Sequence, residues 1–120
     1  MRVSAHFNRS EFACKCGCGF DTVDAQTLEI LEAVREHFKQ AVIITSAARC
    51  EAHNAAVGGV KNSLHTQGRA CDISVRNHSP DVVASFVDSI MPARGGVGTY
   101  PDNNFVHIDT RSGNPARWRG

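Results

Sequence analysis

The chain is 120 residues long, with 42% apolar residues, 21% charged residues and a formal net charge of +1. That length suits one domain, spanning residues 1–120, with a single core, and the near-neutral charge gives no electrostatic reason to expect nucleic acid or an anionic membrane as partner. No apolar run approaches the ~20 residues that span a bilayer, and MRVSAHFNRSEF at the N-terminus lacks the apolar core of a signal peptide, so export would need a helper, a lost leader or release by lysis.

Residues 1–20 read as an irregular N-terminal segment holding a tight Cys/Gly loop, CKCGCG. Five cysteines cannot all pair within one chain. Cys14, Cys16 and Cys18 are spaced more tightly than the usual structural zinc ligands. A glycine loop, with one sulfur bridged to Cys50, is therefore expected over a metal knuckle, and a separate metal on CKCGCG stays open as the weaker alternative. Asp21 and Asp24 both suit a helix cap. From Asp24 to Lys39, Leu28, Leu31, Val34 and Phe38 recur at spacings of three and four, which predicts an amphipathic helix. AVIIT, residues 41–45, is a short β-branched run and predicts a buried strand. A short helix over residues 51–57 follows, ended by Gly58-Gly59.

RACDISV, residues 69–75, predicts a second strand, in which Cys71 is a small core residue. Pro80 suits a first helical turn, and Val82, Val83, Phe86, Val87 and Ile90 continue one helical face. GGVGTY and FVHIDT predict two further strands around the turn PDNN. Trp118, in the closing RWRG, is expected to pack the C-terminus onto the domain and to edge a cleft. The fold class is α+β, with helices packed on a small, mainly antiparallel sheet in a single domain.

Two polar islands break the core pattern. Strand alternation puts Asp72 on a face with Ala70 and Ser74, and puts His107 and Asp109 on a face with Phe105. Burying such groups alone is costly, so they should be paired, hydrogen-bonded or bound to metal. His65, Asp72 and His107 together would make an open zinc site, two imidazoles and a carboxylate with one position left over. Gly68 would let the chain reverse between the first two. Spacing alone leaves the bland alternative, a surface histidine and a turn aspartate, equally open.

A resemblance sharpens the choice. SLHTQGRACD matches the S-x-H-x-x-G-x-A-x-D signature of the zinc D-alanyl-D-alanine carboxypeptidases, related to vancomycin-resistance dipeptidases and L-alanyl-D-glutamate endolysins, through Ser63, His65, Gly68, Ala70 and Asp72. SAARCEAHN is similar to that family's S-x-x-R-x-x-x-H-N segment, and GVGTYPDNNFVHID to its closing strand. HFNRSEFACKCGCGF resembles the opening of its small stand-alone branch, found in phage and bacterial genomes. The resemblance implies the fold shared by hedgehog proteins and D-Ala-D-Ala carboxypeptidases, a Zn2+ cofactor on His65, Asp72 and His107, and a peptidoglycan peptide as substrate. The activity implied is amide hydrolysis, as a D,D-carboxypeptidase or an endopeptidase of endolysin type, and a monomer is expected.

The resemblance also implies that Arg49 binds a substrate carboxylate. Ser63, on the same loop as His65, is placed to hydrogen-bond substrate or orient the site, and Tyr100, just before the turn, to line the substrate groove. It departs at one place: where the better-known members carry Glu or Asp three residues before the last histidine, this chain has Asn104, and an amide cannot serve as a general base. Asp109, two residues beyond His107 on the same strand face, is the preferred catalytic carboxylate, or else a partner that orients a ligand histidine; Asp102 in the preceding turn is the second candidate. The missing acid also motivates an alternative reading, a non-catalytic zinc module that binds cell wall or a partner protein. His53 is expected to cap locally, His37 to sit on the exposed side of its helix, and His6 and His78 show no partner in the sequence.

Overall fold

A computed structural model describes residues 2–120. Asp24 caps the first helix, α1 (Ala25–Phe38), its carboxylate accepting from the Gln26 and Thr27 N–H groups at 3.1 and 3.3 Å. The second candidate cap, Asp21, pairs instead with Arg9. Strand β1 (Val42–Ser46) follows, then the short helix α2 (Glu51–Ala56) and a 3-10 turn at Leu64–Gln67. Strand β2 (Ala70–Val75) leads through an Asn77 turn to α3 (Pro80–Ile90), which Ser79 caps and Pro80 opens. The chain closes with β3 (Gly96–Tyr100), β4 (Phe105–Asp109) and β5 (Ala116–Arg119).

The five strands form one sheet in the order β1-β2-β4-β3-β5. Pairings β1–β2, β2–β4 and β3–β4 are antiparallel, while β3–β5 is parallel. The expected sheet is therefore present with one addition: RWRG does pack the C-terminus, but as a strand. Its short run carries alternating charge and too little apolar content to announce itself.

One face of the sheet is the core. Cys71, Ile73 and Val75 of β2, Val106 and Ile108 of β4, and Val97 of β3 pack with Ile30, Leu31 and Val34 of α1 and Val83, Ala84 and Val87 of α3. On α1 the buried stripe is centred on Ile30, Leu31 and Val34, with Leu28 and Phe38 only partly buried at its margins. On α3 Val82 is 48% exposed and Ala84 takes the inner place expected for it. Two 100° steps separate these residues around a helix, so a list of apolar positions cannot say which edge of the stripe meets the sheet. Phe7 and Phe12 of the opening segment also enter this core, Phe12 from a 3-10 turn at Arg9–Phe12. The opposite face of β2 and β4 is left for polar groups.

Candidate active site

Register decides what those polar groups meet. Asp72 on β2 lies directly opposite His107 on β4, with the same alternation that buries Ile73 and Val106 behind them. His107 Nδ1 sits 2.9 Å from Asp72 Oδ1. His65 comes from outside the sheet, on the 3-10 turn that Ser63 caps by accepting the His65 N–H at 3.2 Å. The turn ends at Gly68, whose φ of 68° lies in the left-handed region. A β-carbon at Gly68 would also meet the Thr22 carbonyl at 2.5 Å, so glycine is needed there for both conformation and space.

His65 Nδ1 lies 2.7 Å from the Ala47 carbonyl, which can only accept, so the ring donates there and Nε2 faces Asp72 Oδ1 at 3.4 Å, donating to it when the ring is charged and offering a lone pair to a metal when it is neutral. On His107 the other ring nitrogen, Nε2, is 2.8 Å from Asp109 Oδ2. One donor atom each from His65, Asp72 and His107 thus lie within 4.8 Å of one another. This two-imidazole, one-carboxylate set, with tautomers fixed from behind by a carbonyl and a carboxylate, fits a zinc ion.

The electrostatics follow from burial against pairing. Burial alone would push the Asp72 carboxyl up, but hydrogen bonds with His107 and His65 outweigh it and hold the group at about 2. Burial would lower His107, yet Asp109 and Asp72 on its two nitrogens raise it above the ordinary histidine value. Asp109 is fully buried, and despite the cost of that burial His107 and Arg111 hold it well below the usual carboxylate range. Arg111 grips it from Nε at 2.9 Å and Nη2 at 2.7 Å and adds its backbone N–H at 3.0 Å. Both Asp109 oxygens are therefore engaged.

The cleft over these groups has a volume of about 720 Å³. Arg49, where β1 gives way to α2, lines it with Ser63, and its guanidinium is set by three neighbours. Nε donates to Ser46 at 3.2 Å, Nη1 donates to the buried Asn54 at 3.1 Å, and Nη2 stands 3.5 Å from Asp72. Asn54 in turn donates to the Val60 carbonyl at 2.8 Å, and a side chain on Gly59 would collide with it. The segment SAARCEAHN is thus one hydrogen-bonded unit that aims a cation into the cleft. Opposite it, Tyr100, Phe105, Trp118 and Arg111 form the other wall: Tyr100 stacks on Phe105 at 4.4 Å, Trp118 donates to the Tyr100 hydroxyl at 2.7 Å, and Arg111 lies 5.3 Å above the Trp118 ring.

Of the residues expected in the site, His65, Asp72, His107, Arg49, Ser63, Tyr100 and Asp109 line this one cleft. Asp102 does not; it is exposed in the β3–β4 turn. Asn104 occupies a left-handed position in that turn, φ 54°, where asparagine is tolerated better than most side chains. Arg111, Phe105 and Asn54 escaped the sequence reading, although the i, i+2 spacing of Asp109 and Arg111 and the asparagine beside His53 were visible signals. His53 itself lies in α2, its backbone N–H donating to the Cys50 sulfur and its carbonyl accepting from the Val57 N–H. His6 pairs with Glu32 at 2.6 Å, His37 stacks on Phe86 at 3.9 Å and His78 packs on Phe38 at 4.6 Å, partners that the sequence does not show.

Comparison with known proteins agrees with this architecture. The sequence profile of the family described as Peptidase M15 matches residues 5–109. A probable peptidoglycan L,D-endopeptidase MepK of Haemophilus influenzae is 41% identical over 64 residues, 52% of this chain and 32% of that protein. The peptidoglycan L,D-endopeptidase MepK of Escherichia coli K12 is 42% identical over 60 residues, 50% of this chain and 30% of that protein. The matched segments thus span about a third of the length of these curated relatives.

Proposed function

Because the chain belongs to the peptidase M15 family, we propose that it is a zinc-dependent peptidase that hydrolyses an amide bond in peptidoglycan stem peptides. The observation that carries this reading is the convergence of His65, Asp72 and His107 beside a half-buried arginine in one cleft. The names of the relatives, both peptidoglycan endopeptidases, support the substrate class.

Zinc bound by the three residues would supply a Lewis acid that polarises the scissile carbonyl and acidifies a water. The chain does the rest. Ala47 and Asp109 hold the two imidazoles in the tautomers that face Asp72. Arg49, prearranged by Ser46 and Asn54, receives a substrate carboxylate as a bidentate fork. Ser63 fixes the His65 turn at the cleft edge, and the Tyr100–Phe105 and Trp118 surfaces flank the peptide backbone. Asp109 acts first as the positioning residue for His107. For it also to accept a proton, one of its bonds to Arg111 has to open; for Asp102 to do so, the β3–β4 turn has to move.

The test is incubation of zinc-loaded protein with defined muropeptides, followed by mass analysis. Loss of a single terminal residue identifies carboxypeptidase action, and conversion of cross-linked dimers to monomers, or internal cleavage, identifies an endopeptidase. Zinc-loaded protein that leaves every muropeptide intact overturns the reading, and muropeptide binding without turnover then marks a non-catalytic module.

A further inference from the structure

We propose that Cys14, Cys16, Cys18 and Cys50 form a second metal site, a tetrahedral thiolate centre for zinc, separate from the cleft. The four sulfurs lie within 4.8 Å of one another. Cys14 and Cys16 are 3.4 Å apart, Cys14 and Cys50 3.9 Å, and Cys16 and Cys50 3.6 Å. A tetrahedral ion with zinc–sulfur bonds of about 2.3 Å has sulfur–sulfur edges of about 3.8 Å. These separations bracket that value.

The tight C-x-C-x-C spacing, an obstacle on paper, is resolved by backbone curl. Gly17 and Gly19 take φ values of 82° and 93°, and the Cys14 N–H donates to the Phe20 carbonyl at 2.7 Å, closing the loop on itself. In an extended run, alternate side chains point one way but stay well apart; the curl draws these three together. Cys50 completes the set from a different part of the chain, 36 residues after Cys14 in sequence. Backbone N–H groups aim at the sulfurs, Cys50 to Cys14 Sγ and His53 to Cys50 Sγ, both at 3.4 Å, and such donors favour thiolates. Three sulfurs at the edge lengths of one tetrahedral face, with the Cys18 sulfur within 4.8 Å of each, are a donor set for a thiophilic ion. Binding releases the thiol protons to solvent, and no electrons are transferred.

The site has a definite place in the fold. Cys50 follows Arg49 directly, and the Ala48 N–H donates to the Phe12 carbonyl at 3.1 Å. An ion on the four cysteines would therefore fasten the N-terminal loop to the segment that aims Arg49 into the cleft. Cys71 takes no part; it is buried in the core face of β2.

The experiment uses the whole chain, reduced and stripped of metal without oxygen, then loaded with cobalt or zinc. We expect sulfur-to-cobalt charge-transfer absorption in the near ultraviolet, both in the native sequence and in His65→Ala. Zinc should bind at two ions per chain in the native sequence and at one in His65→Ala. Cys16→Ser and Cys18→Ser, chosen because both side chains are exposed, should lose most of the absorption. The proposal is overturned if the reduced native protein shows no charge-transfer band. It is equally overturned if His65→Ala removes all bound metal. The cobalt spectrum of the native chain needs no variant, so a misfolded mutant does not blunt the test, and His65→Ala separates this site from the cleft.

Discussion

At the residue scale, Asp109 and Arg49 carry the sharpest expectations. Asp109 is held by His107 on one side and by Arg111 on the other, so its removal touches the proposed metal ligand His107 before it touches any proton. If positioning is its role, Asp109→Asn weakens zinc binding about 10- to 100-fold, as loss of an orienting partner does, measured by chelator competition. If Asp109 is instead the general base, zinc affinity is retained, kcat falls roughly 10²- to 10⁴-fold, and the acid limb of the rate profile disappears. For Arg49, substitution by lysine keeps the charge but loses the fork that Ser46 and Asn54 orient. Arg49→Lys should raise KM about tenfold or more with a smaller change in kcat, given the ~1.5–3 kcal/mol of a charged hydrogen bond. An unchanged KM would remove Arg49 from substrate binding.

At the element scale, two features connect local structure to the cleft. The Asp24 cap holds the start of α1, and Thr110 Oγ1 lies 3.4 Å from the same carboxylate oxygen, tying the helix to the end of β4. Asp24→Ala should cost about 1 kcal/mol, the usual value of a cap, read by urea denaturation, with zinc stoichiometry unchanged. Strand β5 matters because it delivers Trp118. Gly98, its β3 partner, has no room for a β-carbon, which would strike the indole ring. Gly98→Ala should therefore displace Trp118 from the cleft and raise KM while the chain remains folded, with a change in tryptophan fluorescence as the direct readout. Unaltered fluorescence and KM would mean that the indole does not border the substrate.

At the scale of the whole molecule, the N-terminal segment is held to the body by few polar contacts, and one of them titrates. Glu32 on α1 accepts from the Ser4 hydroxyl and from the His6 N–H at 2.8 Å, and lies 2.6 Å from the His6 ring. Partial burial works against its charge, but these hydrogen bonds prevail and lower its pKa from the ordinary 4.5. A lowered carboxyl binds its proton more weakly folded than unfolded. Its contribution to stability is therefore present above pH 4.5 and is lost as the pH falls through the folded value. Glu32→Gln should be less stable than the parent at pH 6, with the gap closing below pH 4.5; a gap independent of pH would show that the charge on Glu32 is not what holds the segment.

The elements, and most of the residues that line the candidate cleft, were legible in the sequence. Helix period, strand alternation and cap residues are local properties, and they placed α1, α3 and four of the strands to within a residue or two. Asp72 and His107 were legible because a polar group that a strand takes out of water demands a partner, and His65 because the motif around Gly68 is contiguous. Tertiary structure decided what depends on which strands become neighbours. The parallel docking of β5, the Arg111 grip on Asp109, and the pairing of His6 with Glu32 join residues whose own neighbourhoods say nothing of each other. The four cysteines are the clearest case. Their spacing reads as too tight for a metal, and only a loop curled by two left-handed glycines, packed against residue 50, brings the four sulfurs within 4.8 Å of one another.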